Sequence, residues 1–208
     1  MFSFLLGNGP SKTSYALMKG VQLLPIAYPK PEVVEAAAAE PTPVVSESLW
    51  KDQPALIVLI RRPGCLFCRN EAHMLAGARE EIAAKLGVRM VAIVNQSFGA
   101  QDFVDNFWKG EAYFDKDLGL FKAMGDGQIR KASLLQLGLP SVIARYQTAK
   151  QSGLDSNLKG DGTILGGLLL VKKGDDGIAY EHIETEFGDI AELDSVLGEC
   201  RKVVEATA

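Results

Sequence analysis

Eleven consecutive residues constrain this chain most: Arg61-Arg62-Pro63-Gly64-Cys65-Leu66-Phe67-Cys68-Arg69-Asn70-Glu71. Ahead of them, Ala55 to Ile60 runs Ala-Leu-Ile-Val-Leu-Ile without a polar break, which predicts a strand buried on both faces. Behind them, Ala72, Leu75, Ala78, Ile82 and Leu86 recur at helical spacing, with Gly87 placed to end the helix. The two cysteines therefore fall where a strand turns into a helix N-terminus. Exposed main-chain N–H groups, the helix dipole and nearby cations all favour the thiolate there, and the thiolate is the reactive form of the residue. Arg61, Arg62 and Arg69 bring positive charge to both sides of the pair.

The length of 208 residues, close to half of them hydrophobic, suits one sizeable core with an appendage. A net charge of −4 argues against a nucleic-acid partner, which would need a basic face. No apolar run approaches the ~18 residues that a spanning helix requires. Three cysteines, two of them in the motif, fit a reducing intracellular compartment better than a secreted disulfide scaffold, and cytoplasmic and organellar (plastid or mitochondrial) settings both remain open.

The N-terminal part differs in character. Met1 to Pro31 has three lysines, four Ser or Thr residues and no acid, whereas Glu32 to Asp52 carries five acids against Lys51. Organelle transit peptides share the acid-poor, hydroxyl-rich character but are Arg-rich, and this stretch has no Arg. Its apolar residues, Phe2, Phe4, Leu5 and Leu6, then Tyr15, Leu17, Met18, Val21, Leu23 and Leu24, are available to pack on the domain, dock on a protein partner or touch a membrane surface. Pro29 to Pro43, with four prolines and the Ala36 to Ala39 run, reads as a linker. The expected division is residues 1–45 as extension and linker and 46–208 as the folded domain.

Past the motif helix, Val88 to Val94 predicts a second buried strand at the distance a βαβ unit requires. A helix is expected from about Phe98 to Gly110, a short strand at Ala112 to Phe114, and a short helix at Leu118 to Met124. Ile129 to Tyr146 is expected to be helical, with Pro140 at a break or a first turn. Ile164 to Lys172 and Ile178 to Ile183 form an antiparallel hairpin around Gly174-Asp175-Asp176-Gly177. Ile190 to Ala206 closes the chain as a helix striped by Leu193, Val196, Leu197, Cys200 and Val204. A Cys-x-x-Cys in this order of elements reads as a thioredoxin-like redox motif in an α/β fold, a mixed sheet flanked by helices.

Arg61 to Ala72 resembles the active-site stretch of the peroxiredoxin-like 2 proteins, the AhpC/TSA-like antioxidant group. Gly160-Asp161-Gly162 with Leu165-Gly166-Gly167, and Glu181-His182 with Glu184-x-Glu186-Phe187-Gly188-Asp189, resemble further stretches of that family in the same order. The resemblance implies a thioredoxin-like fold and thiol-dependent reduction of peroxides or disulfides; one branch of the family resembles prostaglandin-endoperoxide reductases. Two departures stand out. A true peroxiredoxin has Pro-x-x-x-Thr-x-x-Cys, and Cys65 takes the Thr place if Cys68 takes the peroxidatic one. The proline that thioredoxins and glutaredoxins place opposite their cysteines is absent from Gly160 to Gly167.

The spacing predicts a cycle in which a thiolate attacks peroxide oxygen or disulfide sulfur, and an external thiol reductant of thioredoxin or glutathione type resets the pair. The first cysteine of a strand-to-helix turn is the more exposed, which favours Cys65 as nucleophile and Cys68 as resolver; the peroxiredoxin pattern reads the other way, and both orders stand. Arg61, Arg62 or Arg69 would lower the thiol pKa, and Pro63 and Gly64 set the turn. Glu71 could hold an arginine or assist proton transfer, and equally could be a solvated first-turn carboxylate. No bound cofactor or metal is expected: zinc wants four ligands, and only His73, His182 and Cys200 could join the pair. Against the enzyme stands a non-catalytic or regulatory thioredoxin-fold subunit, anchored in a larger complex, organellar or otherwise, by its N-terminal extension.

Overall fold

The computed structural model of the chain describes residues 13–30 and 41–206. The described residues build one mixed sheet with helices on both faces. In chain order the elements are α1 (Tyr15–Met18), β1 (Gln22–Ile26), β2 (Val44–Val45), β3 (Ala55–Ile60), α2 (Leu66–Gly77), β4 (Arg89–Val94), α3 (Ala100–Phe103), β5 (Ala112–Phe114), α4 (Gly119–Met124), α5 (Pro140–Lys150), β6 (Gly167–Val171), β7 (Ile178–Ile183) and α6 (Leu193–Glu205). The strand order is β2-β1-β5-β4-β3-β6-β7. β3 pairs parallel with β4 and antiparallel with β6, and all six of its residues are buried, as its unbroken apolar run demands.

Alternate residues of β3 serve two cores. Leu56, Val58 and Ile60 face α2, α5 and α6, whereas Ala55, Ile57 and Leu59 face Trp50, Leu120 and Phe121. α2 runs out at Gly77 and the chain continues as a π-helical turn, Glu80–Lys85, before Gly87 ends it in a left-handed conformation. The wider turn keeps Ile82 buried in line with Ala72 and Leu75. Buried Asp115 starts α4, accepting hydrogen bonds from the Gly119 and Leu120 N–H groups at 2.9 and 2.8 Å.

Two expectations change. Ile129 to Tyr146 is helical only in part: Lys131 bridges Ile164, a 3-10 turn spans Leu134–Gly138, and α5 begins at Pro140, which takes the first-turn place expected of it. The reason is local, since Pro140 has no N–H to donate and holds Leu139 extended. The strand expected from Ile164 shortens to β6, because residues 164 and 165 pair with residues 130–132 instead. From residues 1–45, β1 joins the sheet against β5, and Met18 and Leu23 are fully buried. Phe2, Phe4, Leu5, Leu6 and the Ala36 to Ala39 run lie outside the described residues. No helix among the described residues is long and apolar enough to cross a membrane.

The Gly166-Gly167 pair has a steric origin. A β-carbon on Gly166 would stand 2.1 Å from the Leu59 carbonyl oxygen, and main chain cannot swing aside as a side chain can. Gly166→Ala is therefore expected to destabilise the fold by about 2–3 kcal/mol, read as a lower urea midpoint at unchanged slope.

Candidate active site

β3 ends at Ile60, and the next two residues are arginines whose side chains are both buried. Pro63 and Gly64 then turn the chain so that Cys65 caps α2 and donates its N–H to the Arg62 carbonyl at 3.0 Å. The turn is clamped from outside: Asn157 donates its N–H to the Gly64 carbonyl at 2.8 Å, and a β-carbon on Gly64 would stand 2.3 Å from the Asn157 Oδ1. A side chain at position 64 would have to push that Asn157 amide aside.

Arg61 is the hub. Its Nη2 donates to Cys65 Sγ at 2.9 Å and its Nη1 to the Gly162 carbonyl at 2.9 Å; its Nε lies 3.7 Å from Glu184 Oε2, and the guanidinium stacks 4.7 Å from the Phe187 ring centre. Asn95 Nδ2 fixes the backbone by donating to the Arg61 carbonyl at 2.9 Å. Arg62 lies beside Gly162, and its buried Nε has no hydrogen-bond partner among the described residues. Arg69 is aimed elsewhere. It donates to the Pro63 and Asp155 carbonyls, each at 2.9 Å, and to Asp102 Oδ2 at 2.6 Å, over the face of Phe107. Of the three arginines expected to tune the thiols, the fold brings two to them and spends the third on clamping the turn and the loop.

The two thiols are free and differ sharply. Hydrogen bonding from the Cys68 thiol, aided by the charges of Arg61 and Arg62, holds Cys65 well below the ordinary thiol range despite burial. Cys68 is pushed well above that range because it is the donor of that bond and is itself buried. Cys65, 4 % exposed, lines a cavity of about 590 Å³ whose walls include Arg62, Leu66, Phe67, Leu137, Tyr146 and Phe187. Leu134 and Leu137 wall this space from a 3-10 turn and Tyr146 from α5. His73 is exposed, and Cys200 is buried on the inner face of α6.

Behind the thiols lies a group of acids. Burial lifts Glu71 to about 8, with Glu184 adding to the shift, and burial lifts Glu184 to about 7 against the pull of Arg61. Glu71 is thus no solvated first-turn carboxylate; it is buried beneath the pair. His182 Nε2 lies 3.3 Å from Asp189 Oδ1, and that contact, opposed by burial, raises His182 and lowers Asp189. Glu184, Asn157 and Gly162 come from distant parts of the chain, and no spacing in the sequence ties them to residue 61. Their signal lay in the motif blocks that contain Glu184 and Gly162, without a role attached.

Glu71 gives a pH prediction. Its folded value of about 8 lies above its ordinary 4.5, so between these limits the native state keeps a proton that the unfolded chain has lost, and stability falls as pH rises through the window. Glu71→Gln is expected to flatten that decline and to exceed the wild type in stability above pH 8 by up to about 5 kcal/mol, measured by urea unfolding across pH.

The profile of the AhpC/TSA antioxidant enzyme family matches residues 75–186, a span that begins just after the cysteine pair. Peroxiredoxin-like 2A of Xenopus laevis is 36% identical over 170 residues, covering 81% of this chain and 73% of the relative. Prostamide/prostaglandin F synthase of Bos taurus is 32% identical over 152 residues, 72% of this chain and 75% of the relative. Among solved structures, the Xanthomonas campestris bacterioferritin comigratory protein superposes with a TM-score of 0.59 at 10% identity, covering 94% of this chain and 99% of that one. The last likeness is one of fold, and it is the thioredoxin-like arrangement read from the sequence.

Proposed function

Because the chain belongs to the AhpC/TSA antioxidant enzyme family and so has a redox role, we propose that it reduces peroxides through a Cys65–Cys68 dithiol. Cys65 is the nucleophile. One observation carries this assignment: Arg61 Nη2 donates to Cys65 Sγ at 2.9 Å at the wall of a cavity, while Cys68, deeper and 2 % exposed, is the thiol that keeps its proton.

The Cys65 thiolate attacks one peroxide oxygen, the O–O bond breaks, and the departing oxygen leaves as an alcohol or water once it has taken a proton. Arg62, with an unpaired buried Nε at the cavity wall, offers a donor and a positive charge to that departing oxygen. The sulfenic acid on Cys65 then condenses with the Cys68 thiol to a disulfide and water. An external thiol reductant, one thioredoxin-type dithiol or two glutathione-type monothiols, supplies two electrons and returns the pair to its starting state.

The test is stopped-flow oxidation of the reduced protein by hydrogen peroxide and by an organic hydroperoxide, followed by mass mapping. Fast oxidation ending in a Cys65–Cys68 disulfide is the expected result. A rate no higher than that of an ordinary thiol overturns the peroxidase and favours a binding subunit of the same fold.

A further inference from the structure

Arg61 stands between two anionic groups. On one side its Nη2 meets Cys65 Sγ at 2.9 Å, and on the other its Nε lies 3.7 Å from Glu184 Oε2, with both acidic residues and the arginine no more than 5 % exposed. Glu184 is held there from two directions, its Oε2 accepting the Gly166 N–H at 2.7 Å and its own N–H reaching the Gly166 carbonyl at 3.1 Å. One guanidinium cannot fully neutralise two buried anions, and a second uncompensated charge in such a place takes up a proton rather than remain. The contacts thus tie the protonation of the carboxylate to the charge of the thiol.

Resting on Cys65 as the thiolate, we infer that Glu184 is the redox-linked proton acceptor of the site: reducing the Cys65–Cys68 disulfide creates a thiolate on one side of Arg61, and a proton settles on the carboxylate on the other. When Cys65 is oxidised the thiolate charge vanishes, Arg61 is left to Glu184 alone, and the proton departs. Glu184 acts through Arg61 and is a positioning residue.

The other charged groups around it fit this role. Arg130 donates from Nη1 to the Glu184 carbonyl at 2.8 Å, which orients the main chain. Asp189 adds negative charge from the turn beyond β7, and Cys65 does so from the cap of α2. His182, on β7, faces Glu71 and is paired with Asp189. Glu71, without an arginine at hydrogen-bonding distance among the described residues, is lifted to about 8 chiefly by burial, which does not depend on the redox state. Burial lifts Glu184 to about 7 with the thiolate adding to the rise, so loss of the thiolate lowers it.

The balance with dithiothreitol is explicit. Its two S–H bonds break, its cyclic disulfide forms, and its two electrons cleave the Cys65–Cys68 bond. Cys65 emerges as thiolate, one proton stays on the Cys68 thiol, and the second passes to the Glu184 carboxylate.

The experiment measures protons released to an indicator in weak buffer at about pH 6 while dithiothreitol reduces the oxidised protein, with thiolate absorbance followed in parallel. The wild type is expected to release close to none, and Glu184→Gln about one per disulfide, because its second proton has no carboxylate to take it. Equal release of one proton by both proteins, with thiolate formed, overturns the role of Glu184 while leaving the proposed chemistry standing. No release by either, with no thiolate absorbance, overturns the Cys65 thiolate itself and this inference with it. Should Glu184→Gln fail to fold, infrared difference spectra of the wild type decide: a protonated-carboxyl band that appears on reduction and persists in Glu71→Gln supports the inference, and its absence overturns it.

Discussion

Cys65→Ser is expected to abolish the fast reaction with peroxide, whereas Cys68→Ser keeps it and stops at a sulfenic acid on Cys65. The two thiols lie one helical turn apart and look interchangeable by spacing, yet their surroundings are opposite. Cys65 lines the cavity, receives Arg61 Nη2 and is held well below the ordinary thiol range by the Cys68 thiol and the two arginines. Cys68 is fully enclosed and pushed well above that range. An ordinary thiol is only a few per cent ionised at neutral pH, so the cysteine left in Cys65→Ser should react at least about a hundredfold more slowly than the wild type. Stopped-flow rates, with sulfenic acid trapped and mapped by mass, check both variants. Trapping on Cys68 would reverse the assignment.

Arg61→Gln is expected to lower the rate at neutral pH by roughly ten- to a hundredfold while leaving most of it recoverable at high pH. The guanidinium contributes charge to the thiolate and a donor at 2.9 Å; glutamine retains at most a neutral donor. The Cys65 titration, followed by thiolate absorbance, should move upward by the same factor. Stability should fall too, by about 1–3 kcal/mol, because the bond to the Gly162 carbonyl is lost and Glu184 is left buried without a cation, though it can neutralise itself by protonation. Arg69→Gln separates the two effects. Arg69 ties Pro63, Asp155 and Asp102 together and does not reach the thiols, so its loss should destabilise the turn and leave the Cys65 titration in place. A shift of the same size in both variants would mean that general positive charge, and not the Arg61 contact, sets the thiol.

The strands and helices around the motif were legible because their signals are local. Ala55 to Ile60 admits only a strand covered on both faces, and the repeat from Ala72 to Ile82 only a helix with one buried side. Where two local signals competed, the reading slipped. Leu134, Leu135, Leu137 and Leu139 suggested helix on both sides of Pro140, but the part before it is only a 3-10 turn, and Leu134, Leu135 and Leu137 stay largely exposed. Glu71 could be placed near the pair by spacing alone, whereas its burial depended on strands that return more than a hundred residues later.

The sequence by itself determined that two thiols sit at a helix start beside three arginines, within an α/β chain of thioredoxin-like order. Periodicity, turn chemistry and the covalent neighbourhood of Cys65 are properties of residues a few positions apart, and they need no tertiary contact to be read. Tertiary structure alone decided which arginine does what: the end of β3 throws Arg61 onto Cys65, while one turn of α2 carries Arg69 away to Asp102 and the Asp155 carbonyl. It alone set Glu184 against Arg61 and made the thiols unequal. Charge and burial act through space with a reach of a few ångströms, and the distance between residues 61 and 184 exists only once β3, β6 and β7 have paired.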